Sequence, residues 1–103
     1  MAMTCTRWAD APATGDAAVR RATIAGTGAH LKRVEIAAGT TAGRHDHPFE
    51  QFVIVESGSG SLTTADGTIA LEPGLVIHFP PGTWHEAVFA TATVLLEVNL
   101  APA

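Results

Sequence analysis

A chain of 103 residues has room for one domain of ordinary size and not for two, so all its chemistry must share one core. Apolar residues make up 47% of it and charged residues only 16%, which excludes a disordered segment. With a formal net charge of −4 and no dense run of Lys or Arg, it is not built to follow a phosphate backbone, and nucleic acid is excluded as a partner.

In chain order, residues 1–17 read as an irregular lead-in to a single domain covering 1–103, broken by Pro12 and Gly15. No basic segment followed by an apolar core occurs there, and no apolar run approaches the roughly 20 residues that span a bilayer. Cys5 is the only cysteine, so an intrachain disulfide and a Cys-rich metal site are both impossible. These features predict a cytoplasmic protein with no membrane partner. Short runs rich in Val, Ile, Thr, Phe and Leu then follow at 18–24, 29–36, 51–55, 61–64, 68–71, 75–79, 86–89 and 93–100. Turn signals such as Gly26-Thr27-Gly28, Gly58-Ser59-Gly60, Asp66-Gly67 and Pro80-Pro81-Gly82 separate them, and leave no space for a long helix. Eight short strands with this punctuation predict an all-β sandwich, jelly roll or closed barrel; the pattern alone does not choose among them.

His45 and His47 are two apart, so on a strand both imidazoles face one side, and Gln51 shares that side if the strand stays regular. Val53 and Val55 continue the stripe inward as an apolar shell, while Glu50 falls on the opposite face. Taken alone, the pair is equally well two solvated surface residues, and a single histidine such as His85, beside Trp84 at a strand start, is more often a hydrogen-bonded structural residue.

Joint order and spacing add more. Residues 39–58 read GTTAGRHDHPFEQFVIVESG and residues 74–85 read GLVIHFPPGTWH. These resemble the two signature segments of the cupin superfamily, and with the strand pattern the resemblance covers nearly the whole chain. It implies a cupin-type jelly-roll barrel (a double-stranded β-helix) holding one divalent transition metal, Zn, Ni, Fe, Mn or Cu, through His45, His47, Gln51 and His85. Gln51 stands where the family usually carries glutamate, and Phe89 replaces an asparagine whose role is structural.

Four neutral ligands leave the ion's charge uncompensated, which favours an anionic substrate and stabilisation of an enolate. The segment is similar to that of small cupins with the same substitution, among them uronate-ketonising enzymes and polyketide cyclases. The resemblance thus implies a metal-dependent isomerase, cyclase or lyase acting on a small oxygenated acid or ketone. The alternatives are a dioxygenase, since three histidines also hold Fe(II), and a non-catalytic metabolite- or sugar-binding barrel. Glu97, within the apolar run 94–98, and His78 are the candidate acid–base residues. Asn99 stands where the uronate-ketonising group has an aromatic residue, and no arginine follows Arg44. Any cation for an anionic substrate must therefore come from the N-terminal part. Arg33 and Glu35 share a strand face that is either the pocket mouth or a solvated surface. Small cupins pair as homodimers through edge strands, which places the partner surface at residues 18–24.

Overall fold

Short apolar runs cut by Gly and Pro cannot build helices, but each can bury one face by pairing in a sheet. In the computed structural model, which describes residues 2–101, a single 3-10 turn at Trp8–Asp10 precedes ten strands. These are β1 (Ala13–Gly15), β2 (Val19–Ala25), β3 (Ala29–Ile36), β4 (Thr41–His45) and β5 (Gln51–Ser57). The second half adds β6 (Gly60–Thr64), β7 (Gly67–Leu71), β8 (Val76–Phe79), β9 (His85–Phe89) and β10 (Thr93–Leu100). All pairings are antiparallel, in a six-stranded sheet ordered β1-β2-β3-β10-β5-β8 and a four-stranded sheet ordered β4-β9-β6-β7. The chain forms the jelly-roll barrel that the resemblance implied.

All eight predicted strands appear, with ends displaced by a residue or two; β1 and β4 are additional. Both lie at sheet edges, where one flank needs no apolar pattern. In β1 every residue is exposed, and β4 carries Gly43 and a register irregularity between Ala42 and His45. Within residues 13–19 the lead-in forms β1 and a closed turn: Asp16 Oδ1 accepts the amide N–H groups of Ala18 and Val19, joining β1 to β2. Strand β2, expected as the dimer edge over residues 18–24, is covered by β1 along Arg20–Ala22, and Thr23 N–H donates to Pro12 O, so most of that stretch is not a free edge.

Inward-facing residues from both sheets interdigitate to form the core. Val34, Ile36, Val53, Val55, Phe79 and Leu95 come from the larger sheet, Leu62, Leu71 and Phe89 from the smaller. Strand β5 shows the alternation directly: Gln51, Val53 and Val55 are buried, while Phe52 and Ile54 are only partly covered. Arg33 and Glu35 lie on the outer face, where Arg33 pairs with Glu35 and lies 3.6 Å from Glu56; they form a solvated surface pair and not a pocket mouth.

The β5–β6 turn brings the two sheets together. Gly58 has φ +100°, and a Cβ there would sit 2.2 Å from Thr93 Oγ1 and 2.5 Å from Thr93 Cα, while one on Gly60 would sit 2.1 Å from Val88 O. Thr93 is itself 1% exposed and cannot move aside. Gly58→Ala is expected to cost more than about 2 kcal/mol, because strain at positive φ adds to a backbone clash. Gly28→Ala, with nothing within 4 Å of the added methyl, serves as the control. Equal urea midpoints for the two variants would refute the account.

Candidate metal centre

The three histidines converge, but not along one strand. His45 ends β4, His47 lies in the following loop, and His85 opens β9 directly opposite His45 in the sheet register. Their candidate ligand nitrogens all lie within 4.8 Å of one another. The expectation that a regular strand carries His45, His47 and Gln51 on one face is thus corrected: the chain leaves the small sheet after His45 and enters the large one at Gln51. Convergence comes from the two sheets closing on each other. Gly82 N–H donates to His47 O at 2.8 Å, which ties the Pro80-Pro81-Gly82 turn to the His-x-His loop and holds the two signature segments together.

Two of the rings have their tautomer set by the backbone. His45 Nδ1 is 2.7 Å from Gly43 O and His85 Nδ1 is 3.2 Å from Thr83 O. A carbonyl only accepts, so each Nδ1 carries the proton and each Nε2 keeps its lone pair for a ligand. His85 is 7% exposed and stacks on Phe79 at 4.2 Å, while His47 stacks on Phe49 at 4.8 Å. Burial pushes the pKa of both His47 and His85 down, and neighbouring histidines add to the effect. Both rings therefore favour the neutral form that a metal requires.

Gln51 is 3% exposed, and its Nε2 donates to Asn99 Oδ1 at 2.8 Å. Asn99 is its cross-strand partner on β10. With the amide nitrogen so engaged, the oxygen is left for another partner. Three converging imidazoles fit a borderline divalent ion, and Gln51 lines the same cavity.

Gln51 and the three histidines line a cavity of about 220 Å³ whose floor is the core. That is smaller than the roughly 300–1,000 Å³ of drug-sized pockets, and suits a small molecule. Glu97 lines it as well, the one carboxylate to do so among the described residues. Burial raises its pKa; Arg21, Lys32 and His45 offset part of the rise. Strand alternation, which left Glu97 undecided between inside and outside, resolves inward because Leu95 and Glu97 both line the cavity from one face of β10.

His78 goes the other way. It pairs in register with Phe52 on the outer face of β5, its Nε2 lies 2.6 Å from Glu50 Oε2, and it does not line the cavity. Phe52 stacks on His78 outside the barrel, and Trp84 is covered by the Arg44 guanidinium at 3.6 Å. Two residues that shape the site, Asn99 through its hydrogen bond to Gln51 and Arg21 in the cavity wall, were not singled out from the sequence. Asn99 had shown only as a departure from the uronate-ketonising pattern. Arg21 had a readable signal, since Val19 and Arg21 are two apart on β2 and both line the cavity.

Among solved structures, the fold is shared with an RmlC-like cupin from Shewanella frigidimarina at 16% identity, covering 98% of this chain and 93% of that one with a TM-score of 0.87. KdgF from a Halomonas species matches at 19% identity over 91% and 92% of the two chains, TM-score 0.78. The polyketide cyclase RemF from Streptomyces resistomycificus matches at 21% over 98% and 81%, TM-score 0.82. No curated protein sequence matches significantly. At these identities the likenesses establish the fold alone. The family model described as the cupin domain, however, matches residues 32–99, which include all three histidines and Gln51, and the chain belongs to the cupin family.

Proposed function

We propose that this chain is a metal-dependent enzyme that isomerises, cyclises or eliminates at a position next to a carbonyl in a small oxygenated acid or ketone. One observation carries the reading: a cluster of three histidines, the neutral Gln51 and a single half-buried carboxyl, Glu97, line the same small cavity. A divalent ion held by His45, His47, Gln51 and His85 would supply Lewis acidity toward a substrate carbonyl or carboxylate oxygen, undiminished by any charged protein ligand.

The remaining work falls to the chain. Glu97, whose pKa is raised by burial, holds its proton above the ordinary carboxylate range and can pass it to or take it from a substrate carbon nearer neutrality. Val34, Leu62 and Phe89 exclude water around that transfer. Asn99 fixes the orientation of Gln51 by accepting its amide proton. The cyclase activity in the name of RemF, whose structure is similar, agrees with this class of chemistry. A homodimer belongs to the same proposal, with β1 and not β2 as the open rim of the large sheet at that side.

The test is turnover of a panel of small ketones and 2-oxo acids by protein reconstituted separately with Zn, Ni, Fe, Mn and Cu, with dissolved oxygen monitored. Turnover without oxygen uptake is the expected result. Oxygen uptake coupled to substrate loss would replace the proposal with a dioxygenase, and binding without turnover would replace it with a metabolite-binding barrel.

A further inference from the structure

Six cations precede His45, and the fold gives them different tasks. Arg33 pairs with Glu35 and Glu56, and Arg44 lies over Trp84 within 3.9 Å of Glu86. Arg7 and Arg20 line shallow clefts on the outer surface. Arg21 alone lines the cavity that holds the histidine cluster. Among the described residues it forms no ion pair, although Glu97 lines the same cavity.

Its position explains why it is available. Arg21 lies in β2 opposite Val34, with Val34 in turn opposite Leu95, so its nearest inward neighbours across the sheet are apolar. Lys32, on the same face of β3, is directly opposite Glu97. Arg21 in the cavity wall and Lys32 beside it in the sheet both act on the one cavity carboxyl, and Arg21 is the one cation that the cavity itself presents to a ligand. A guanidinium beside low-dielectric walls attracts an anion more strongly than one in open water, and its planar fork matches a carboxylate.

We propose that Arg21 is an anion subsite of the cavity, binding a carboxylate of the substrate remote from the atoms that reach the histidine cluster. Resting on the reading of this cavity as the active site, it narrows the substrate to a short oxo or hydroxy acid with one carboxylate on Arg21 and an oxygenated carbon near Glu97 and the histidines. Arg21 is in this account a specificity-determining residue. It selects for charge and orients the chain of the substrate; Glu97 handles the proton.

The test compares levulinate with methyl levulinate, which differ chiefly in the carboxylate charge, by calorimetric titration into zinc-loaded protein. Wild type is expected to prefer the acid by at least about tenfold, the worth of one charge-assisted contact. Arg21→Ala should erase that preference with metal content unchanged, and Arg21→Lys should keep part of it. Arg20→Ala removes the same charge from the outer face of the same strand and should leave the preference intact. A preference that survives Arg21→Ala, that falls equally in Arg20→Ala, or that is missing from wild type overturns the subsite. Metal-free wild type runs in parallel: an Arg21-dependent preference that persists there keeps the subsite even if the metal-dependent reading fails.

Discussion

His85→Ala is expected to lower metal affinity by more than about 100-fold, beyond the roughly 10–100-fold that follows loss of an outer-sphere partner. His85 is the most buried of the three histidines, its Nδ1–H is held by Thr83 O, and its ring is fixed on Phe79. Elemental analysis of untagged protein should find about one metal per chain in wild type and almost none in the variant. Undiminished metal in the variant would remove His85 from the site.

The same substitution carries a pH signature in metal-free protein. The folded-state pKa of His85 lies below its ordinary 6.5, as does that of His47. Between the lowered value and 6.5 the unfolded chain binds protons that the folded chain refuses, so their stabilising contribution is full above pH 6.5 and is lost as pH falls through the lowered pKa. His85→Ala should therefore flatten the acid-side loss of stability, read as urea midpoints between pH 8 and pH 5. A slope unchanged from wild type would contradict the burial-driven shift.

Glu97→Gln is expected to lower turnover by about 10²- to 10⁴-fold, the usual worth of a positioned acid or base, while leaving metal content unchanged. Its effect on stability has the opposite pH sense to that of His85. The carboxyl of Glu97 is raised above its ordinary 4.5, so the stability it confers is present below 4.5 and lost as pH rises through the raised value. Glutamine has the same shape and no charge to desolvate. The variant should match wild type near pH 4 and exceed it near pH 8 in thermal midpoint. Full activity in Glu97→Gln would leave the cavity without its proton-transfer group and would sink the enzymatic reading of Glu97.

His78, the other acid–base candidate, shows why a local pattern was insufficient. In LeuValIleHisPhe every residue is compatible with a strand, and the sequence contains nothing to say which parity faces inward. The register with β5 decides it: Ile77 and Phe79 line the cavity, so His78 must face out, where it meets Glu50 and Phe52. Glu97 was undecided for the same reason, and the neighbouring Leu95 carried it inward.

By itself the sequence determined the all-β class, and its resemblance to the cupin signature segments named the candidate donors. Turn residues at short intervals exclude helices, and the order and spacing of His45, His47, Gln51 and His85 against glycine and proline identify the two segments that meet at the site. Only the tertiary structure decided how those donors come together. His45 and His85 face each other across one sheet, and Gln51 arrives from the other with its amide held by Asn99, 48 positions away in the chain. Strand parity is a local property, whereas sheet closure depends on pairings between residues far apart. The edge strands β1 and β4, the inward Glu97 and the cavity-facing Arg21 all depend on those pairings, and became visible only when the sheets were assembled.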